Sequence, residues 1–214
     1  VQFPRPDALV PIEAFSKRAD LEVFGRVVDE IQIQRLARRH DEIGVAGDEQ
    51  DVKQISEMYP CYEGVTQEWL SLDNYAGEYF FTNFHLIAMS DGAELWVQDD
   101  LSYPEGDTRD TPVVTCEQAA YLLDEFDNNM YPKETSFFGM PDLHDGSYSL
   151  LEAWGYVDPG YYANEDGRQV VLVSNIRDES YYDDTYPNYI AGFYSPTFEA
   201  YFDRNIMSID SYDW

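Results

Sequence analysis

Hydrophobic residues divide the chain into an N-terminal part with a helical pattern and a remainder with a β pattern. Between Pro11 and His40, apolar residues recur at roughly i, i+3, i+4 and i+7, which predicts an amphipathic helix. Its apolar stripe contains Leu21, Phe24, Val27, Val28, Ile31 and Leu36. Such a helix needs a surface to pack on, because helical stability comes mostly from packing. The sequence leaves three candidates for this surface: the chain's own domain, a second copy of the chain and a partner protein.

From Glu63 onward the pattern favours strands around one strong helix. Two alternating segments flank Asp91-Gly92, which indicates a hairpin. Thr115 is the expected N-cap of a helix that ends at Tyr131-Pro132. The predicted strands are Gly77–Ser90, Ala93–Asp100, Arg168–Asn175, Asn188–Ser195 and Arg204–Ser211, and the predicted helix is Cys116–Met130.

The order of these elements predicts an α+β fold with a mixed, twisted sheet and one main backing helix. Arg168–Asn175 contains the continuous apolar run Val170–Val173 and is therefore expected at the buried centre of the sheet. We expect two regions: residues 1–50 as an extended arm with the amphipathic helix, and residues 51–214 as the α/β body.

The charge is extreme and unevenly distributed. The net charge is −29, and residues 1–40 hold seven basic and six acidic side chains, so the rest of the chain carries −30. This acidity argues against nucleic-acid binding, which needs a basic footprint. No apolar run approaches the ~20 residues of a membrane span. Adaptation to high salt, calcium binding and simple solubility are alternative reasons for the acidity.

Two acidic loops are candidate calcium sites. Ca²⁺ takes six to eight oxygen ligands, commonly from Asp, Glu and backbone carbonyls. One loop follows the central strand, and the other lies around His144. The candidate ligands are Asp178, Glu179, Asp183 and Asp184 in the first loop, and Asp142 and Asp145 in the second. The alternative for each is a solvated acidic turn.

Several segments in residues 60–214 resemble secreted zinc metallopeptidases of the immune-inhibitor-A-like group. They are AELWVQDDLSYPEGD, CEQAAYLLDEFDNNMYPKETSFFG, PDLHDGS, VVLVSNIRDESYYDDTYPNYIAGFYS and FDRNIMSIDSYDW. The resemblance implies a zincin-like upper subdomain and a secreted, extracellular protein. Cys61 and Cys116 permit either one disulfide or two buried thiols, and secretion favours the disulfide.

The zinc site of that family has no counterpart in this sequence. The three histidines are His40, His85 and His144, and none belongs to the His-Glu-x-x-His motif that places two ligands one helical turn apart. We therefore expect a non-catalytic N-terminal half that works with a C-terminal catalytic half in the same precursor or as a separate chain. Zinc is expected only when that half is present.

Substrate alignment is the role that the resemblance implies for this half. In zincins an edge strand pairs with the extended peptide substrate through main-chain hydrogen bonds. The candidate residues are Tyr189, Ile190, Ala191, Gly192 and Phe193. Gly192 either permits close approach of the substrate or marks tight packing within the sheet. Two further hypotheses are a structural protein that assembles into an oligomer or filament, and a calcium-stabilised binding module.

Overall fold

The computed structural model describes residues 10–11, 55, 57–212 and 214. In this part of the chain, seven strands form one mixed sheet. The strands are β1 Val10–Pro11, β2 Thr66–Asp73, β3 Glu78–Met89, β4 Ala93–Gln98, β5 Gln169–Ser174, β6 Gly192–Tyr194 and β7 Ile206–Asp210. The helices are α1 Cys116–Glu125, α2 Tyr131–Phe138, α3 Leu150–Ala153, α4 Glu179–Tyr182 and α5 Pro196–Phe202, with a π-helical turn at Phe126–Met130.

The sheet combines an antiparallel half with a parallel centre. β2, β3 and β4 form an antiparallel meander, and β4, β5 and β7 are parallel neighbours. β6 pairs antiparallel with β7. The short β1 pairs antiparallel with the start of β3, where Val10 is opposite Tyr79. The expected α+β class with a mixed sheet is therefore confirmed.

One face of the sheet is covered by α1. Thr115 caps this helix, because its hydroxyl accepts from the Gln118 N–H at 3.3 Å while the Gln118 side chain accepts from the Thr115 N–H at 2.8 Å. Ala119, Ala120 and Leu123 are fully buried against β3, β4 and β5. Cys61 and Cys116 form a disulfide, with 5.9 Å between their Cα atoms, that ties the chain before β2 to the first residue of α1.

The predicted end of the helix at Tyr131-Pro132 is wrong. The π-helical turn follows α1 directly, and α2 begins at Tyr131 with Pro132 in its first turn. Proline is tolerated there because the first turn of a helix uses few of its own N–H groups. The helical path therefore continues to Phe138.

The opposite face carries an aromatic core. Trp69 of β2 is completely buried, and its ring centroid lies 5.0 Å from Phe202 of α5, 5.1 Å from Tyr162 and 5.8 Å from Trp96 of β4. The Trp69 indole N–H has no hydrogen-bond partner within the described residues. Phe198 of α5 is likewise buried, so α5 covers this face as α1 covers the other.

A buried ion pair joins Glu94 of β4 to Arg204, which lies two residues before β7. A guanidinium N–H of Arg204 donates to Glu94 at 3.2 Å, and the side chains are only 3% and 6% exposed. Arg204 also donates to the carbonyls of Tyr162 and Arg168, at 3.1 and 3.2 Å. Trp96 and Asn164 donate to the Glu94 carboxylate. An open groove of about 220 Å³ lies beside the pair.

The predicted amphipathic helix, and the region 1–50 apart from β1, lie outside the described residues. In residues 57–212, no helix has both the length and the apolar character to cross a bilayer.

Candidate functional site: the β6 edge and its supports

β6 lies at the end of the strand order, and no described strand pairs with its outer side. The Asp210 N–H donates to the Ala191 carbonyl at 2.9 Å, so Ala191 is a bonded position of the β6–β7 ladder. Bonded and non-bonded positions alternate in an antiparallel pair. Gly192 and Tyr194 therefore direct their backbone groups outward, and Phe193 directs its own toward β7.

Gly192 packs closely against the neighbouring strand. A Cβ added at this position would lie 2.7 Å from the Ser208 carbonyl oxygen of β7. A side chain at this position would collide with β7, so tight packing within the sheet requires the glycine. Such packing was one of the two reasons expected for Gly192.

β6 is shorter than the predicted strand Asn188–Ser195, because the backbone N–H of Ile190 bonds to a side chain instead of to a neighbouring strand. Tyr189, Ile190 and Ala191 precede β6, and the Ile190 N–H donates to the Asp178 carboxylate at 2.6 Å. Asp178 is only 2% exposed and also caps α4 by accepting from the Tyr181 N–H at 3.0 Å. One buried carboxylate thus fixes both α4 and the entry to β6.

At the end of β7, the carboxylate of Asp210 likewise binds backbone N–H groups of two segments. Its two carboxylate oxygens accept from the N–H groups of Ile176 and Tyr212, at 2.8 and 2.7 Å. The Tyr212 ring packs on Tyr189 with 4.9 Å between centroids. The ends of β5 and β7 and the approach to β6 are therefore held together by carboxylate–backbone bonds rather than by ladder bonds alone.

A charged cluster lies beside the far end of β6. His144 lies between two carboxylates, with its Nδ1 2.8 Å from Asp203 and its Nε2 2.8 Å from Glu199. The Tyr194 hydroxyl of β6 donates to the second oxygen of Glu199. Each ring nitrogen of His144 thus faces one carboxylate, so the ring is held between α5 and the residue that ends it. The cluster therefore sets the position of the Tyr194 ring at the strand edge.

This cluster was not expected from the sequence. The sequence groups His144 with Asp142 and Asp145, its neighbours in the chain, whereas its partners lie 55 and 59 residues further on. Asp203 adopts φ 52°, in the left-handed region, at the end of α5, and its second oxygen accepts from the Tyr148 N–H at 2.8 Å. A residue in this conformation leaves no periodic signal in the sequence.

The predicted calcium ligands lie in local turns. Asp183 accepts from the Thr185 hydroxyl and N–H, and Asp145 accepts from those of Ser147. The hydrogen bonds from the hydroxyls have the larger effect and those from the N–H groups the next, and together they hold the pKa of both carboxyl groups below the usual range. The backbone carbonyl of Asp142 accepts from the Asn205 side chain, and Glu179 and Asp184 lie in α4 and in the turn after it. Among the described residues, no group of three or more His, Cys, Asp or Glu side chains is arranged to hold a metal ion. Calcium binding remains a prediction.

An arginine connects the loop after β4 to α4. Arg109 donates to the Asp107 carboxylate, the closest contact being 2.6 Å, and to the carbonyls of Ser180 and Tyr181 at 2.8 and 2.9 Å. Its guanidinium lies 3.7 Å from the centre of the Tyr103 ring. The hydrogen bonds from Arg109 lower the pKa of Asp107 to about 2.

We expect the Asp107→Asn variant to differ less from the wild type as the pH falls. The folded pKa of about 2 lies below the ordinary 3.8, so the ionised carboxyl is favoured by folding. Its contribution is present above about pH 4 and is lost as the pH falls toward about 2. Urea unfolding midpoints of both proteins over this range measure the difference. A difference that stays constant down to about pH 2 contradicts the assignment.

Comparison with known proteins supplies no family for this chain. No protein-family model matches it, and no curated protein matches it at a significant level. The fold and site therefore define the class only as an α+β protein with a mixed sheet, an open β6 edge and buried carboxylates at the strand ends.

Proposed function

We propose that this chain is the N-terminal, substrate-aligning part of a secreted zinc metallopeptidase, and that an extended peptide pairs with the outer edge of β6. The observation that carries the proposal is the terminal position of β6 in the sheet, with the backbone groups of Gly192 and Tyr194 directed away from β7. The sequence resemblance in residues 60–214 supports the assignment to a peptidase. The His-Glu-x-x-His helix belongs to a C-terminal catalytic half.

The edge has the properties that strand addition requires. A peptide strand binds through main-chain hydrogen bonds, and alternate side chains add specificity. Asp178 accepts from the Ile190 N–H and the Asp210 N–H donates to the Ala191 carbonyl, so the entry to the strand is already fixed and little ordering is needed when a peptide binds. Tyr194 of β6 and Met207 of β7 are 43% and 51% exposed, and they offer apolar surface to alternate side chains of a peptide.

The charge of the body favours a basic peptide. Residues 41–214 carry −30, and Glu199 lies beside β6. Electrostatic attraction raises the association rate of an oppositely charged ligand. The substrate class that fits this edge is therefore an extended peptide with basic and apolar residues in alternation.

A short fluorescein-labelled peptide with alternating Lys and Val tests the proposal by fluorescence anisotropy. We expect it to bind the wild type, and to lose binding when its alternate amides are N-methylated, because only main-chain hydrogen bonds are removed. Tyr194→Pro removes one outward N–H and is expected to weaken binding roughly tenfold, the loss of about one hydrogen bond.

Tyr194→Ser is the matched control, because it removes the same ring but keeps the N–H, and it is expected to bind more tightly than Tyr194→Pro by most of that roughly tenfold factor. Equal binding of the methylated and unmethylated peptides means attraction by charge alone and overturns pairing at β6. The peptidase assignment is tested separately by the gene sequence downstream of Trp214, where a His-Glu-x-x-His motif is expected and an unrelated sequence contradicts it.

A further inference from the structure

The open groove beside the buried ion pair has a buried floor and an exposed mouth. Glu94, Trp96 and Arg204 form its floor, and all three are almost fully buried. Val65 and Tyr161 lie at its mouth and are 42 and 40% exposed. We call this cavity of about 220 Å³ the Glu94 groove. A ligand can therefore enter it from solvent and reach charged groups that are sheltered from solvent.

We infer that the Glu94 groove binds a single neutral pyranose ring, either as a free monosaccharide or as the end of a glycan chain. Hydroxyl groups of the sugar bond to Glu94 and Arg204, and one of its C–H faces packs on Tyr161. This inference does not depend on whether a peptide binds at β6, because the groove and β6 share no residue.

Hydrogen-bonding capacity remains unused at the floor of the groove. Arg204 uses both terminal nitrogens in hydrogen bonds, but its buried Nε–H has no partner among the described residues. The Glu94 carboxylate accepts three hydrogen bonds, whose donors are Trp96, Asn164 and Arg204. A carboxylate has about four acceptor sites, so one remains. One donor and one acceptor are thus open on two side chains that already contact each other.

Hydroxyl groups match this pair of open sites. A hydroxyl both donates and accepts, so one hydroxyl can accept from the Arg204 Nε–H while its neighbour donates to Glu94. A buried polar group without a partner is costly, and a ligand that supplies the missing partner gains affinity from it. Neighbouring hydroxyl groups on one ring are characteristic of sugars, whereas a purely apolar ligand leaves both sites open.

The walls of the groove suit the C–H face of a sugar ring. Tyr161 packs edge to face on Tyr162 with 4.8 Å between ring centroids, and part of the Tyr161 ring stays exposed as apolar surface at the mouth. The Gln67 side chain donates to the Tyr161 carbonyl at 2.7 Å, which ties this loop to β2.

The size of the groove limits the ligand to one ring. Pockets that hold ligands of drug size have volumes of about 300–1,000 Å³. The Glu94 groove, at about 220 Å³, is smaller than these pockets. It therefore encloses a single sugar ring, and any further sugars of a glycan chain lie outside it.

The charges around the groove favour a neutral ligand. Glu94 and Arg204 form an ion pair, so the floor has no net charge to be balanced. An anionic ligand is repelled by the charge of −30 on residues 41–214. A cationic ligand lies against the guanidinium of Arg204, which is equally unfavourable. A neutral hexopyranose avoids both penalties.

Saturation-transfer NMR of the full chain tests the inference, with the methyl pyranosides of glucose, galactose and mannose as probes. We expect at least one of them to bind with a dissociation constant on the order of 1 mM, as befits a ligand of about a dozen non-hydrogen atoms. Cyclohexylmethanol has the same ring size but a single hydroxyl, and it is the matched control ligand. It should bind roughly tenfold more weakly, the loss of about one hydrogen bond.

A trisaccharide of the sugar that binds best distinguishes the two sources of the ring. Tighter binding of the trisaccharide than of the methyl glycoside identifies a glycan chain whose next sugars contact the rim. Equal binding identifies a free monosaccharide.

Two variants at the mouth connect binding to this groove. Val65→Trp fills the entrance and Tyr161→Ala removes the exposed ring, and neither changes the ion pair, so each should weaken sugar binding roughly tenfold or more. Their matched controls are Val113→Trp and Tyr186→Ala, at sites 67 and 42% exposed that do not line the groove. Both controls should bind as the wild type does, and thermal unfolding checks that all four variants are folded.

Three outcomes overturn the inference. If none of the three methyl pyranosides binds, water alone satisfies the open sites on the floor. If cyclohexylmethanol binds as tightly as the best sugar, the groove selects apolar rings and not hydroxyl groups. If folded Val65→Trp and Tyr161→Ala variants both bind the sugar as the wild type does, the sugar binds elsewhere on the protein.

Discussion

Glu94→Gln is expected to lower the free energy of unfolding by about 3–5 kcal/mol, although it changes no side-chain volume. The substitution leaves the Arg204 guanidinium, which is 3% exposed, without its only carboxylate partner among the described residues. A buried unpaired charge costs far more than the pair contributes, because neither water nor a counter-charge solvates it. Denaturant unfolding of the two proteins measures the effect.

Two further variants give this prediction its controls. Arg204→Met should destabilise alone, and the double variant Glu94→Gln/Arg204→Met should be more stable than the sum of the two single effects predicts, because it leaves no unpaired charge. Asp166→Asn breaks a surface pair with Arg168 in which Asp166 is 61% exposed, and it should cost less than about 1 kcal/mol. A similarly small cost for Glu94→Gln means that water in the adjoining groove screens the pair.

Trp69→Ala is expected to cost about 3–5 kcal/mol, the range for large-to-small substitutions at aromatic core sites. The side chain is fully buried between Trp96, Tyr162 and Phe202. Its removal leaves a cavity that these rings cannot fill without leaving their own packed positions. Thermal and denaturant unfolding of the variant measure the loss.

Trp69→Phe separates packing from hydrogen bonding at the same site. The Trp69 N–H is buried without a partner in the described part of the chain, and such a group costs about 1–3 kcal/mol. Phenylalanine removes this donor and leaves only a small cavity, so the two effects nearly cancel and the net change is expected within about 1 kcal/mol. A loss as large as that of Trp69→Ala contradicts this explanation and indicates an interaction of the indole N–H.

The sequence predicted those elements whose pattern is local and repeated. In β3 and β4, apolar residues alternate with polar ones or form short runs on either side of Asp91-Gly92. The cap and the buried face of α1 are both encoded within one short stretch of sequence. The centre of β5, Val170–Val173, is continuously apolar because parallel neighbours flank the strand and both faces of the sheet are covered. These signals require no knowledge of distant residues.

The elements and strand bounds that the sequence did not predict depend on contacts between distant residues. α5 has only seven residues, too few for a clear helical period, and its place is fixed by the packing of Phe198 and Phe202 in the core. β6 is short because Asp178 takes the N–H of Ile190. The cluster of His144, Glu199 and Asp203 likewise forms only when segments more than 50 residues apart meet.

The parallel centre of the sheet also determines when the chain can fold. β5 lies between β4, which ends 71 residues before it begins, and β7, which begins 32 residues after it ends. Pairings of such separation form slowly, because loop closure precedes any gain from contact. During synthesis, β4 and β5 emerge before β7 is available, and one edge of an apolar strand stays open until residue 210 has left the ribosome. The nascent chain therefore depends on protection from aggregation during that interval.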